Sequence, residues 1–229
     1  MSIADNIEAV KANIAGAAAE YPRFSAPSVQ LIAVTKTLGV DKIREAYDWG
    51  QRDFGENRVQ EILEKYPAFP EDVRWHLIGH LQTNKVKYIV DKVAMIHSLD
   101  SIKLAEEIEK RAAAIDRVIP CLIQVNIADE DTKFGLQKEA TPDFVKEMLR
   151  FPHIAVEGLM TIGPHVAEEE AISAVFRELR ELKEEIAALA LPGVKMRELS
   201  MGMSSDYPLA VREGATMVRV GTTIFGARS

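Results

Sequence analysis

Lys36 ends the run Ala33-Val34-Thr35-Lys36, and a lysine amine can attack an aldehyde to form an imine. Alternate residues of an extended strand share a face, so Ile32, Val34 and Lys36 point the same way. If that face lines an enclosed interior, the lysine loses solvent, its pKa falls and the neutral amine becomes the nucleophile. The plain alternative is a lysine returning the chain to water at a strand end.

A second group of residues could hold an anion. Val220-Gly221-Thr222-Thr223 leads toward Ile224-Phe225-Gly226. Glycine lets an oxyanion approach the backbone, and threonine adds a hydroxyl. Alone, such a tripeptide is a turn. Ser200, followed by Gly202 and Ser204, supplies further hydroxyls. Arg219 alternates with Met217 and Gly221 on one strand face. An interior arginine is costly unless paired, so it answers either a carboxylate such as Glu198 or a ligand.

Other candidates have plainer readings. His76 and His80 are four apart in His76-Leu77-Ile78-Gly79-His80, but side chains at that spacing converge on a helix, and this stretch reads as strand and turn. No third metal ligand is evident. His80 reads as a loop residue that packs against or bonds a ligand, and His76 as core. Cys121, the single cysteine, sits in the apolar run Val118-Ile119-Pro120-Cys121-Leu122-Ile123 and reads as packing. Gly-x-Gly-x-x-Gly and Gly-Lys-Ser/Thr nucleotide motifs are missing.

These residues need elements to hold them. Ile3, Ile7, Val10 and Ile14 mark one face of an opening helix, with Ser2 and Asp5 as a capping box. Strands are then expected at 31–34, 53–56, 75–78, 94–98, 119–127, 155–162, 198–201 and 217–220. Helices are expected at 43–49 (stopping at Gly50), 59–66 (ended by Pro67), 83–90, 102–114 (capped by Asp100 or Ser101), 143–149, 172–189 and near Leu209. The clearest carries Ile172, Val175, Phe176, Leu179, Leu182, Ile186 and Leu189 on one stripe. Eight strands alternating with helices in 229 residues predict a single (β/α)8 TIM barrel, spanning residues 1–229 as one domain with an extra N-terminal helix. A doubly wound open sheet is the runner-up. In a barrel, reactive residues leave the carboxyl ends of the strands. That rule selects Lys36, Asn57, His80, Ser200, Arg219, Gly221 and Thr222, and it puts Gly221-Thr222 after the eighth strand, where barrels commonly bind phosphate.

The net charge of -7, from 28 basic and 35 acidic residues, disfavours general nucleic-acid binding. No window approaches the roughly 20 apolar residues needed to cross a bilayer, and the N-terminus lacks a secretory pattern. One cysteine permits no intrachain disulfide. A cytoplasmic setting is expected.

The quoted residues also carry a resemblance. Ala33-Val34-Thr35-Lys36-Thr37, Phe54-Gly55-Glu56-Asn57, residues 75–85, His97-Ser98-Leu99-Asp100, Gly158-Leu159-Met160-Thr161-Ile162, Leu199-Ser200-Met201-Gly202-Met203-Ser204, residues 217–222 and Ile224-Phe225-Gly226-Ala227-Arg228 resemble the pyridoxal phosphate homeostasis proteins. That family looks like the barrel domain of alanine racemases. The resemblance implies pyridoxal 5′-phosphate (PLP) as cofactor, bound as a Schiff base on Lys36. Ser200, Gly221 and Thr222 would hold its phosphate, Arg219 would face the pyridine nitrogen, and Asn57 and His80 would line the ring pocket.

An arginine on that nitrogen is always a donor and leaves it unprotonated. Racemase-like barrels receive a second base, a tyrosine, from another domain; here the sequence ends at Ser229, and Tyr207 is the local substitute to consider. The implied role is therefore vitamin B6 homeostasis by storage or transfer, with no catalytic residue assigned, in a monomer. Apo PLP-dependent enzymes would be the recipients. Lys85, Lys87 and Lys133 lie near expected loops, either as transient acceptors of the cofactor or as solvating groups. The alternatives are a PLP-dependent amino-acid racemase or decarboxylase of low activity, and a barrel lyase whose Lys36 takes a carbonyl metabolite without a cofactor.

Overall fold

The structure is a computed structural model that describes residues 2–20, 28–128, 130, 134–164 and 168–226. Helix α1, Ile3–Glu20, precedes eight parallel strands: β1 Gln30–Val34, β2 Asp53–Glu56, β3 Arg74–Leu77, β4 Val93–Leu99, β5 Ile119–Gln124, β6 Ile154–Met160, β7 Glu198–Met203 and β8 Met217–Val220. Between strands lie α2 Val40–Trp49, α3 Val59–Lys65, α4 Ile102–Ala113, α5 Thr141–Glu147, α6 Glu169–Ala188 and α7 Tyr207–Arg212; α8, Thr222–Phe225, follows β8. The strands close in chain order, because β1 pairs with β8 from Gln30 with Met217 to Ala33 with Val220. The expected (β/α)8 barrel is observed, and the open sheet is not.

Strand alternation explains the two parts of the core. Ile32, Met95, Leu122, Met160 and Met217 point inward and form a small apolar cluster inside the barrel. Their neighbours Leu31, Ala33, Ile96, Ile123, Leu159 and Val218 point outward and join the larger core beneath the helices. Ile7, Val10, Ile14 and Ala17 are the buried face of α1. Ser2 and Asp5 cap it reciprocally at 2.8 and 3.1 Å. Helix α1 also braces the far end of the chain: Asn6 Nδ2 donates to the Ile224 carbonyl in α8 at 2.8 Å, and Asn13 Nδ2 donates to the Tyr207 hydroxyl in α7 at 3.0 Å.

Several expected boundaries differ. The 83–90 segment is a 3-10 helix, Thr83–Tyr88, since its only buried anchors are Val86, Ile89 and Val90, enough to fix a single turn. Strand β5 stops at Gln124, where Leu136 of the following loop returns to bond the Gln124 carbonyl. Pro67 sits inside a short 3-10 turn, Tyr66–Ala68, that extends α3. Leu189 leaves the buried stripe of α6: the helix ends at Ala188 and Leu189 is exposed. Ser101, not Asp100, caps α4 by accepting from the Leu104 amide.

The barrel closes tightly between β6 and β7, where Gly158 pairs with Glu198. A Cβ on Gly158 would lie 1.9 Å from the Glu198 carbonyl oxygen. Gly158→Ala should therefore exceed the roughly 1–3 kcal/mol of ordinary overpacking, seen as a lowered denaturant midpoint or insoluble protein; parental stability would contradict this register.

Candidate functional site

Consecutive strands place most of the chosen residues on one rim. Val34 pairs with Gly55, and Lys36 and Asn57 each follow that pair by two residues. Val220 pairs with Ala33, and Gly221 comes next; Glu56 pairs with Leu77, three residues before His80. Gly221, Thr222, Lys36, Asn57 and His80 thus leave the carboxyl ends of β8, β1, β2 and β3 as one continuous arc. Lys36 lies beyond the strand itself and is half-buried. The inward face belongs to Ile32, while Lys36 stands at the mouth.

The turn that carries Lys36 is fixed on both sides. The buried Lys65 ammonium donates to the Thr35 carbonyl at 2.8 Å and to Glu56 Oε1 at 2.6 Å. The Thr35 hydroxyl donates to the same Glu56 oxygen at 2.5 Å. Beyond Lys36, the Thr37 amide donates to Glu61 Oε2 at 2.8 Å, with Thr37 at φ 65. Burial pushes the Glu56 carboxyl up to about 8, with Glu61 adding to the rise against the pull of Lys65 and Thr35. Burial also pushes Glu61 up, but Glu56, the Thr37 amide and Lys65 outweigh it and hold Glu61 below its ordinary value. At neutral pH the shared proton sits on Glu56, so Lys65 and Glu61 balance as one cation and one anion.

Asn57 and His80 line a common cleft of about 530 Å3 with Glu61, Gln82 and Lys85. Gly79 shapes it, because a Cβ there would meet the Asn57 carbonyl oxygen at 2.3 Å; only glycine lets the exit of β3 press so closely on Asn57. The exposed His80 ring stacks on Phe134, centroids 3.9 Å apart at 13°, and its Nδ1 lies 3.8 Å from Asp100 Oδ2.

Arg219 is buried inside the barrel and bonds two neutral oxygens, Ser200 Oγ at 2.6 Å and the Thr161 carbonyl at 2.8 Å. Glu198 is not its partner: that carboxylate accepts from Thr216 Oγ1 at 2.5 Å. Burial pulls the Arg219 guanidinium down to about 10, opposed by the Asp206 charge. Ser200 is fully buried and also bonds His97 Nδ1 at 2.9 Å. The structure thus places Ser200 behind Arg219, while the hydroxyl at the β8 loop is that of Ser204, which accepts from the Gly221 amide at 3.0 Å. His76 is buried, as expected of core. Cys121 is buried as well, and burial pushes its thiol up. Lys85 and Lys87 lie over the Tyr88 ring at 5.9 and 4.9 Å; Lys133 and residues 227–228 fall outside the described residues. Among the described residues no three His, Cys, Asp or Glu side chains are grouped to hold a metal ion.

Known proteins share this fold. The family model for the alanine racemase N-terminal domain matches residues 6–229. A pyridoxal phosphate homeostasis protein of Aquifex aeolicus is 47% identical over 203 residues, 87% of each chain. The chain belongs to this family. Among solved structures, a protein of unknown function from Bifidobacterium adolescentis superposes with a TM-score of 0.92 at 38% identity, covering 97% of this chain and 94% of that one. PipY of Synechococcus elongatus PCC7942, with PLP bound, superposes with a TM-score of 0.80 at 40% identity over 93% of this chain and all of PipY.

Ser204 was visible in sequence as a loop hydroxyl after β7, but the residues that support the Lys36 turn were not. Glu61 and Lys65 had only their spacing of four on a helix, a pattern shared by any exposed ion pair. Phe134 had none.

The Glu56 proton gives a pH prediction. Its folded pKa, about 8, lies above the ordinary 4.5, so the folded state binds more protons between those values. Stability from this group is full below about 4.5 and falls as pH rises toward 8, with a slope of up to about 1.4 kcal/mol per pH unit. Glu56→Gln keeps a neutral side chain and should flatten that fall in denaturant titrations across pH; an unchanged profile would show that Glu56 does not carry the proton.

Proposed function

We propose that this chain binds PLP at the rim, with Lys36 holding the cofactor as a Schiff base, and serves vitamin B6 homeostasis by storing or transferring it. The observation that carries the reading is the seating of Lys36 and Gly221-Thr222 on adjacent strands, with the buried Arg219 reaching the interior between Ser200 and Thr161. When bound, PLP supplies an aldehyde that condenses with an amine and an electron-withdrawing ring.

The residues present fit that group. Lys36 would add its amine to the aldehyde carbon, forming C=N with loss of one water. The β8 loop, with the Ser204 hydroxyl, the Gly221 amide and Thr222, would bind the phosphate. Ser200, read from sequence as a phosphate ligand, is proposed instead to hold Arg219, since its hydroxyl is already engaged there. Arg219 has donors left beyond its two bonds to neutral oxygens and would direct one at the pyridine nitrogen. Asn57 and His80 would flank the ring from their shared cleft.

Arg219 also bears on activity. A guanidinium donor leaves the ring nitrogen without a proton, which weakens the ring as an electron sink. The contact therefore favours holding the cofactor over chemistry that needs a strong electron sink, although racemase-like barrels share this arginine. The proposed setting is the cytoplasm and the proposed state a monomer, with apo PLP-dependent enzymes as recipients; no helix among the described residues is long and apolar enough to cross a membrane.

Protein reconstituted with PLP should show a visible Schiff-base absorbance band, and Lys36→Ala should lose it while keeping the far-ultraviolet dichroism of the parent. Borohydride reduction should fix PLP on the peptide carrying Lys36. A band that survives Lys36→Ala, or label on another lysine, would overturn the assignment.

A further inference from the structure

The barrel interior contains a polar column that the cofactor reading does not use. Gln30, Asp53 and Arg74 are the first residues of β1, β2 and β3, and they line a cleft of about 430 Å3 at the amino-terminal end of the barrel. Asp53 Oδ1 accepts from Gln30 Nε2 at 2.7 Å and from Arg74 Nε at 2.8 Å, and Oδ2 accepts from Arg74 at 2.6 Å. From there the contacts run inward. His76 Nε2 lies 2.9 Å from Asp53 Oδ1, His76 Nδ1 lies 3.0 Å from His97 Nε2, and His97 Nδ1 lies 2.9 Å from Ser200 Oγ. Ser200 receives the Arg219 donor at 2.6 Å. Both imidazoles and Ser200 are buried, and this chain engages both nitrogens of each ring.

When His76 carries a single proton, donor and acceptor rules give the chain one direction. A carboxylate only accepts, so the His76 proton must be on Nε2. With one proton on a neutral ring, His76 Nδ1 is bare and must accept from His97 Nε2. His97 Nδ1 is then bare and accepts the Ser200 hydroxyl proton. The Ser200 lone pairs are left for Arg219. Every donor from Arg219 to Asp53 points the same way, and no group in the column lacks a partner.

Two electrostatic observations bear on Asp53 and His97. Burial pushes the Asp53 carboxyl up, but His76 and Arg74 outweigh it and hold the group well below the carboxylate range, hence ionised. Burial above all holds His97 well below the ordinary imidazole value, hence neutral. The alternative, with His76 carrying both protons, would reverse only the His76–His97–Ser200 links and bring the His97 and Arg219 N–H donors to the two Ser200 lone pairs.

We propose that Asp53, His76 and His97 are positioning residues for the ring-nitrogen contact: through Ser200 they form a one-directional chain that fixes where Arg219 points. The carboxylate at the amino-terminal end sets the direction, and the guanidinium at the mouth is held by it. The role at the ring nitrogen rests on the PLP reading; the direction of the chain does not.

The experiment has two arms. In the first, nitrogen-15 spectra of the unmutated protein without cofactor report the tautomer of each of the five histidines. His76 and His97 should both be neutral and protonated on Nε2. A proton on Nδ1 of either ring, or a doubly protonated ring, overturns the chain.

The second arm measures PLP affinity and the position of the visible band for Asp53→Asn, His97→Phe, Ser200→Ala and the double variant Asp53→Asn with Ser200→Ala. Each single variant should weaken binding by roughly two- to tenfold, the effect of one lost hydrogen bond, and shift the band. The double variant should be no worse than Ser200→Ala, because the chain is already broken there. Additive losses, or parental affinity and band in Asp53→Asn, overturn the positioning role. If the parental protein shows no band, the PLP reading fails while the nitrogen spectra still decide the direction of the chain.

Discussion

A guanidinium inside a barrel is expensive, and much of the interior follows from Arg219. Burial removes it from water, and its hydrogen bonds go to neutral oxygens, Ser200 Oγ and the Thr161 carbonyl. Such partners solvate the charge without cancelling it. Asp206 moderates the charge without a hydrogen bond to it. A carboxylate bonded directly to Arg219 would have lowered the cost further and occupied the donors. Glu198, the obvious candidate in sequence, is turned to Thr216 instead. The interior thus keeps a cation that no bonded carboxylate cancels. The column behind Ser200 extends the same economy, since each buried polar atom is satisfied by the next.

The turn that presents Lys36 rests on a different balance. Thr35 and Thr37, on either side of Lys36, are each bonded to a buried network on β2 and α3. Glu56, Glu61 and Lys65 form a set that is neutral overall when Glu56 keeps its proton, so the network costs less burial energy than three separate charges would. Two consequences follow for the rim. The backbone around Lys36 is fixed without use of the Lys36 side chain, and Thr37 is held at φ 65 by Glu61, a conformation a threonine seldom adopts unaided. Positional accuracy at the amine comes from groups beneath it.

The barrel was legible because its signals are local. Apolar runs of four to six residues, separated by helices and turn residues, need only short-range periodicity to be read, and closure follows from their number. The rim arc was legible for the same reason: strand ends locate Lys36, Asn57, His80 and Gly221 without knowledge of any contact. What stayed open in the sequence depends on pairs far apart in the chain. Ser200 and Ser204 look interchangeable in sequence, and only the β7 to β8 geometry turns one toward Arg219 and the other toward Gly221. In sequence Arg219 had two open answers, a carboxylate such as Glu198 or a ligand, and only the fold shows that Glu198 meets Thr216. His76 was read as core, which is correct about burial and silent about Asp53 and His97, whose positions 23 and 21 residues away carry no local pattern.

On the proposed reading, arginine in place of an acid would let one site be both tight and quiet. A carboxylic acid near a ring nitrogen donates or accepts according to its proton, and its partner's charge changes with it. Arg219 stays a donor even at about 10, well above neutral pH, so whatever nitrogen it meets is held as an acceptor. In the proposed complex the contact adds binding energy while leaving the ring a weak electron sink, and the fixed direction of the column behind it offers no ready proton to change that. Affinity and chemical restraint then come from the same interaction, which is what a protein that keeps a reactive aldehyde in reserve requires.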